Sequence, residues 1–307
     1  MSFALAFEQL LNGLQYGVML YLMAVGLTLV LGIMNLANLA HGSLYMAGAY
    51  LAISAVQWTG SYVLGVVLGL IATLALGIAV EVTALRTLYE RDHLDQVLAT
   101  FGLILFFNEL VALIWGRAAL YSSLPQWLQG HVLLFSGSHY PVYRLLVIWI
   151  GFSVAAGFWY VVTRTKLGML IRAGASNRAM VAALGVNIRL LYTVVFGVGA
   201  MLAGLAGIMA GPIYAVQPGM GEQVLIQVLV VIVIGGIGSV RGAFVSALLV
   251  GMVDTLGRAF LKPFLGSVIS PMAAEAAGPA LASMLIYLLM AVVLAVRPEG
   301  LFMNRGN

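Results

Sequence analysis

The sequence predicts an all-α polytopic membrane protein, a bundle of about eight to ten transmembrane helices with broken segments near 33–43 and 235–242. Three observations predict this class. The 307 residues are 63% hydrophobic and 8% charged, whereas soluble domains carry about 25% charged residues. The segment from Gln9 to Val80 contains no Asp, Glu, Lys or Arg. The apolar runs are also continuous, which excludes the alternating pattern of a membrane β-barrel.

Nine apolar runs are long enough to be spans, because a spanning helix needs about 20 mostly apolar residues. The N-terminal MSFALAFEQL lacks a basic region, so we expect no cleaved signal peptide. No soluble domain fits between the runs, and we interpret residues 1–307 as a single transmembrane domain. The predicted spans are 9–31, 40–57, 62–84, 94–115, 143–163, 190–211, 223–240, 243–259 and 279–296.

Glycines spaced four residues apart favour close helix packing in lipid, where burying apolar area gives little driving force. Three pairs have this spacing: Gly13/Gly17, Gly65/Gly69 and Gly207/Gly211.

The distribution of Lys and Arg predicts the orientation, because cytoplasmic loops carry an excess of both. The longest basic loop, 163–189, contains five basic residues and no acid. With this loop inside, nine spans put the N-terminus outside and the C-terminus inside. Ten basic residues then lie inside, against four outside. The inside set is Arg86, Arg91, Arg164, Lys166, Arg172, Arg178, Arg189, Arg241, Arg297 and Arg305, and the outside set is Arg117, Arg144, Arg258 and Lys262.

The stretch IMNLANLAHGSLYMAGAY (33–50) places polar side chains in an otherwise apolar region. If it is helical, Asn35, Asn38, His41 and Tyr45 share one face. A polar face towards lipid is costly, so it should face protein or a water-filled path. Two interpretations remain open: hydrogen bonds that hold the bundle together, or the lining of a pathway.

A second break occurs in VLVVIVIGGIGSVRGAFVSALLVG (228–251), where glycines and a serine separate two apolar runs. Corresponding breaks in two halves of a membrane protein indicate a transport site, because unwound backbone is tolerated in a membrane only where it lines a cavity or is buried. The glycine spacing is near a dinucleotide-binding fingerprint but lacks its acidic partner. The predicted pathway residues are Asn35, Asn38, His41, Gly42, Gly235, Gly236, Gly238 and Ser239.

Isolated charges predict ion pairs more readily than catalysis. We expect Glu81 to form a structural pair with Arg86, and Asp254 to pair with Arg258 one turn along the same helix. The sequence has no Cys, no HExxH and no phosphate-binding GxxxxGK[ST]. The four histidines are scattered, so no catalytic or metal-binding set is apparent.

The segment GLTLVLGIMNLANLAHGSLYMAGAY strongly resembles the first part of the permeases of branched-chain amino-acid ABC transporters. Four later segments resemble other parts of the same family in the same order: VEVTALR with Glu81 and Arg86, KLGMLIRAGASNRAMVAALGVN, VIVIGGIGSVRGAFVSALLVG and the C-terminal RPEGLF. The first match rests on Gly26, Thr28, Gly32, Asn38, Ala40, His41, Gly42, Met46, Gly48 and Tyr50.

The resemblance implies an importer subunit of the bacterial inner membrane that works with partners. These are a second, homologous permease, two cytoplasmic ABC ATPases and a periplasmic substrate-binding protein. ATP and Mg would then be bound by the ATPases, and this chain would bind no cofactor, no metal and no nucleic acid. The loop 163–189 would be the cytoplasmic coupling loop that docks on an ATPase. Its expected coupling residues are Gly168, Arg172, Ala173, Arg178 and Gly185.

Three alternatives remain beside an importer for branched-chain or related hydrophobic amino acids. The SNR at 176–178 is similar to related urea and amide permeases, so the cargo could be urea or a short-chain amide. A secondary transporter driven by protons through Glu81, Glu109 or Asp254 would work without partners. A membrane enzyme would need the catalytic set that the sequence lacks.

Overall fold

The computed structural model describes residues 3–134 and 139–302, and its fold is almost entirely helical. A short antiparallel hairpin, β1 (His131–Leu133) with β2 (His139–Pro141), precedes α5. The helices are α1 (Phe3–Leu29), α2 (His41–Thr59), α3 (Tyr62–Thr83), α4 (His93–Trp115), α5 (Val142–Arg164), α6 (Lys166–Ser176), α7 (Arg178–Ala183), α8 (Ile188–Ala210), α9 (Met220–Gly235), α10 (Val240–Gly266) and α11 (Pro271–Val296).

The predicted all-α polytopic fold is confirmed, and each of the nine predicted spans coincides with a helix. Within the described residues, seven helices are long and apolar enough to cross a membrane: α1 with its extension to Met34, α3, α4, α5, α8, α10 and α11. Two of the nine predicted spans are not among these seven helices. α9 is apolar but has 16 residues, and α2 has 19 residues and begins with His41. α2 follows the first break and α9 precedes the second, so the two less regular spans flank the breaks.

Capping residues at the helix starts explain most of the boundaries. Thr165, Asn177, Asn187 and Ser239 each accept a hydrogen bond from a backbone N–H in the first turn of α6, α7, α8 and α10. Such caps satisfy donors that have no partner within the helix. The last helix begins earlier than the predicted residue 279, because Ser270 caps it and Pro271 occupies the first turn, where proline is tolerated.

The first break is real, but the predicted helical stripe across it is wrong. α1 ends in a π-helical turn, Val30–Met34, and Asn35 then adopts a left-handed conformation with φ 50°. Residues 35–40 are not helical, so Asn35 and Asn38 do not share a helix face with His41. Asparagine is one of the few residues that tolerate the left-handed region. His41 and Tyr45 both belong to α2 and still lie one turn apart.

The second break is closed by the C-terminal segment. Gly236 and Gly238 have positive φ and carry the turn between α9 and α10. The N–H of Leu301 donates to the carbonyl of Ile234 (2.8 Å), and the N–H of Phe302 donates to the carbonyl of Gly235 (3.2 Å). A methyl group at Gly236 would lie 2.6 Å from the carbonyl oxygen of Phe302. The RPEGLF segment therefore packs directly on the glycine turn.

The centre of the bundle is formed by α1, α2 and α8, which touch at glycines. A side chain at Gly48 would overlap the backbone of Gly204, and one at Gly207 would overlap the carbonyl of Tyr45. Two of the predicted glycine pairs also allow close helix contacts: Gly13/Gly17 pack on α10 and Gly65/Gly69 on α2. Gly211, by contrast, has only ordinary contacts. The peripheral helices expose apolar side chains, as helices that face lipid do, including Val63, Leu98, Trp149, Leu288 and Val292.

Contacts between distant residues show which loops lie at the same end of the bundle. At one end, which we call the basic end, Arg86 contacts Thr193 near the start of α8, and Tyr192 donates to the carbonyl of Ile33. The loop 163–189 lies at this end because it leads directly into α8. The glycine turn lies there too, because a methyl group at Gly32 would be 3.0 Å from Cα of Gly238. At the opposite end, Arg144 contacts Asn12 at the start of the bundle. The basic residues predicted to be cytoplasmic therefore gather at one end, except Arg305, which lies outside the described residues.

Candidate functional site

A polar cavity of about 690 Å³ lies in the half of the bundle nearer the opposite end. Its walls come from α1, α9, α10, the segment 213–217, the first turn of α5 and Tyr45 of α2. The polar lining consists of Gln9, Asn12, Gln15, Tyr16, Tyr45, Arg144, Tyr214, Gln217, Gln223, Gln227, Asp254, Thr255 and Arg258. The apolar lining includes Met19, Leu20, Ile213, Met220 and Val224.

An acid–base pair on α10 supplies one charged corner of the cavity. The Nε of Arg258 lies 2.9 Å from Oδ2 of Asp254, as the four-residue spacing predicted. The Asp254 residue is 6% exposed, whereas half of the Arg258 side chain is accessible. Within the described residues, Oδ1 of Asp254 has no hydrogen-bond partner although it is buried. The carboxylate therefore retains unused acceptor capacity at the cavity wall.

Hydrogen bonds between neighbouring helices position several of the other polar groups. The Tyr16 hydroxyl on α1 bonds to the Gln227 side chain on α9. The guanidinium of Arg144 and the hydroxyl of Tyr140 both donate to Oδ1 of Asn12, the latter at 3.2 Å. Burial raises the pKa of Tyr140 to about 12, so its hydroxyl remains a donor at physiological pH.

The eight predicted pathway residues do not line this cavity. Asn35 is exposed, whereas Asn38 and His41 are fully buried beside it in the chain. Gly42 packs on Gly221, where a methyl group would lie 2.5 Å from the carbonyl oxygen. In the second break, Gly235, Gly236 and Gly238 form the turn next to the C-terminal segment, and Ser239 caps α10.

Asn38 and His41 are nevertheless near the cavity in the chain, because His41 lies one turn before the cavity residue Tyr45 on α2 and Asn38 lies three residues before His41. Their side-chain nitrogen and oxygen atoms are buried without hydrogen-bond partners in the described residues, as is the hydroxyl of Thr28. The backbone of Met23 faces the imidazole without reaching hydrogen-bond geometry. Tyr45, one turn beyond His41 on α2, lines the cavity. Unpaired buried polar groups are costly. Water, or a different conformation of the protein, is therefore needed to supply their hydrogen-bond partners.

At the basic end, Glu81 is the centre of a satisfied network. Both carboxylate oxygens accept hydrogen bonds: Arg86 at 3.3 and 3.1 Å, Tyr89 at 2.6 Å and Thr193 at 2.8 Å. Glu81 itself is 0% exposed. Burial, together with the bond to Glu81, raises the pKa of Tyr89 well above its ordinary value. The network ties α3 to the start of α8, which is a structural role.

The loop 163–189 folds into the short helices α6 and α7. Gly168 allows α6 to approach the carbonyls of Val161 and Val162, and Arg172 donates to the carbonyl of Val162. These two residues therefore hold α6 on the end of α5. Ala173 is half-buried and Gly185 ends α7 with φ 85°. Arg178 begins α7, and its side chain lies outside the described part of the chain.

The outer surface of this helical pair was not identified from the sequence. Leu167 and Met169 on α6, and Met180 and Leu184 on or just after α7, expose 51, 60, 59 and 76% of their surface. Met180 and Leu184 carried a signal, because they are four positions apart and share a helix face, whereas Leu167 and Met169 are two apart and do not. The cavity residues were also missed, although they too recur at helical spacing: Gln9, Asn12 and Tyr16 on α1, Gln223 and Gln227 on α9, and Asp254 and Arg258 on α10.

Comparison with known proteins identifies the family. Residues 9–294 match the family described as the branched-chain amino acid transport system permease component. The chain is 31% identical over 264 residues to the high-affinity branched-chain amino acid transport system permease protein BraD of Pseudomonas aeruginosa, covering 81% of this chain and 85% of that protein.

Two further relatives match most of the chain. It is 29% identical over 310 residues to the corresponding protein LivH of Escherichia coli K12, covering 96% and 94% of the two chains. It is 25% identical over 254 residues to the ribose import permease protein RbsC of the same organism, covering 80% and 77%. No solved structure matches the chain. The chain is a multi-pass membrane protein and belongs to the family of branched-chain amino acid transport system permease components.

Proposed function

We propose that this protein is the permease subunit of an ABC importer for branched-chain or related hydrophobic amino acids in a bacterial inner membrane. The match of residues 9–294 to the permease family carries the proposal. BraD and LivH, which are bacterial, are both high-affinity branched-chain amino acid permeases by name. The protein is a transport subunit and not an enzyme, and the ATP and Mg are bound by its partners.

The proposed complex contains a second homologous permease, two cytoplasmic ABC ATPases and a periplasmic binding protein. In this arrangement the basic end faces the cytoplasm and the cavity opens towards the binding protein, in agreement with the positive-inside rule. The α6–α7 pair is the coupling element. Its exposed apolar side chains at the basic end support this role, because apolar residues surrounded by water at a loop commonly mark a protein interface.

We expect this complex to work by alternating access. ATP binding draws the two ATPases together and moves α6–α7. Since Gly168 and Arg172 hold α6 on the end of α5, the movement is transmitted into the bundle. We propose that the path from the cavity continues past His41, one turn before Tyr45 on α2, past Asn38 in the non-helical segment before it, and then past the glycine turn.

Leu184→Glu is expected to reduce ATP-dependent leucine uptake by the reconstituted complex at least about tenfold, because it places a charge in the proposed ATPase contact. The matched control is Val296→Glu, since Leu184 and Val296 are each 76% exposed and lie at the same end. The measurements are uptake and co-purification of the ATPase. Equal uptake and equal co-purification in both variants would remove α7 from the coupling surface.

Sidedness can be measured without background labelling, because the native sequence contains no cysteine. Ser176→Cys, exposed at the end of α6, should react with a membrane-impermeant maleimide only in inverted vesicles. Ser123→Cys, exposed in the loop after α4, should react only from the periplasmic side. Labelling of Ser176→Cys in intact spheroplasts would show that the basic end faces outwards.

A further inference from the structure

We propose that the cavity binds the substrate as a zwitterion, with Asp254 receiving the α-ammonium group and Arg258 the α-carboxylate. This inference rests on the proposed function, because it specifies how an amino-acid importer would recognise its cargo within the membrane. A cavity of about 690 Å³ lies in the range of about 300–1,000 Å³ typical of small-molecule sites.

The ammonium position follows from Asp254. Its Oδ2 is occupied by Arg258, whereas Oδ1 is buried and has no partner in the described residues. A carboxylate buried on one side without a hydrogen bond is unfavourable, and a primary ammonium brings three donors that can satisfy it. Asp254 lines the cavity, and rotation of its side chain would present Oδ1, which has almost no accessible surface, to a cation that enters there.

The carboxylate position follows from Arg258. Among the described residues its guanidinium contacts Asp254 through Nε, which leaves the two Nη groups for another acceptor. Half of the side chain is accessible, and it lies in the cavity wall. The planar fork of arginine matches a carboxylate in a bidentate arrangement. An acceptor for an ammonium and a donor for a carboxylate are therefore placed side by side, as a zwitterion requires.

An apolar wall completes the site. Met19 and Leu20 of α1, Ile213 before α9, and Met220 and Val224 of α9 line the same cavity. Methionine side chains adapt to ligands of different shape, so the wall can accept several aliphatic side chains. A neutral solute such as urea can hydrogen-bond to both groups but brings no opposite charge to either, so the site favours a zwitterion over it.

Binding to the intact permease–ATPase complex in nanodiscs, without binding protein, tests the assignment by saturation-transfer NMR. Three ligands separate the two charges: leucine, 4-methylpentanoate, which lacks the ammonium, and 3-methylbutylamine, which lacks the carboxylate. Asp254→Asn should raise the Kd of leucine and of the amine at least about tenfold, and leave that of 4-methylpentanoate within about twofold. Arg258→Gln should raise the Kd of leucine and of 4-methylpentanoate at least about tenfold, and leave that of 3-methylbutylamine within about twofold.

The crossed pattern distinguishes recognition from misfolding, since a structural defect would weaken all three ligands together. Glu109→Gln is the control, because its ion pair with Arg117 is exposed and does not line the cavity. Equal losses for all ligands, or unchanged leucine binding in both variants, would overturn the assignment. Failure of the proposed function itself would appear separately, as a wild-type complex that imports no branched-chain amino acid.

Discussion

Gly48→Leu is expected to prevent the bundle from folding, so that no monodisperse protein is recovered in detergent. A Cβ at this position would overlap the backbone of Gly204, lying 2.9 Å from its carbonyl oxygen, and no rotamer can relieve a clash with backbone. Overpacking of a core usually costs about 1–3 kcal/mol, and rigid backbone on both sides places this variant above that range. The measurements are size-exclusion chromatography and the thermal unfolding midpoint.

Gly102→Leu is the matched control, because Gly102 lies within α4 and a Cβ there would meet no atom within 4 Å. Replacing glycine inside a helix removes a cost of about 1 kcal/mol in helix propensity, so this variant should be at least as stable as the native protein. A Gly48→Leu protein with the native elution volume and midpoint would contradict the close contact between α2 and α8.

Glu81→Ala is expected to lower the free energy of unfolding by about 2–4 kcal/mol, because the half-buried Arg86 and Tyr89 both lose the carboxylate they donate to, and a donor left unsatisfied costs about 1–3 kcal/mol. Thr193 and Tyr89 both donate to this carboxylate, at 2.8 and 2.6 Å. The thermal midpoint in detergent should fall accordingly. Uptake measured on the same variant tests the proton-driven alternative, because a relay residue would affect transport more than stability.

Glu109→Ala provides the comparison for an ion pair in an exposed position. Glu109 and Arg117 lie 2.9 Å apart with side chains 70% and 77% exposed. Exposed pairs contribute about 0–1 kcal/mol, so the midpoint should barely change. If both glutamate variants shifted the midpoint equally, burial of the Glu81 network would not be the source of its stability.

The helical spans were predictable because their cause is local. In a bilayer the backbone must satisfy its hydrogen bonds within the segment, so a run of apolar residues about 20 long specifies a helix by itself. All nine runs became helices, and the nearby Glu81 and Arg86 lie 3.1 Å apart. The break after Met34 was predicted in position but not in geometry, because the spacing of Asn35, Asn38 and His41 is helical whether or not the backbone is.

The set of residues that line the cavity could not be predicted from the sequence, because they come from distant parts of the chain. Nothing in the sequence links Tyr16, Arg144 and Gln227 to Asp254, which the sequence connects only to its helix neighbour Arg258. Only the packing of α1, α5, α9 and α10 brings them together. The same holds for the C-terminal segment, which reaches the glycine turn through backbone hydrogen bonds that carry no side-chain pattern.

The sequence by itself determined the membrane class, the nine helices, the two interruptions and the gathering of basic residues in loops, because bilayer thickness and backbone hydrogen bonding act on each segment separately. The tertiary structure alone decided which polar residues share a cavity, which glycines meet backbone to backbone, and that Gly168 and Arg172 hold α6 against α5. Those features depend on how helices cross, and crossing is decided by side-chain packing between segments far apart in the chain.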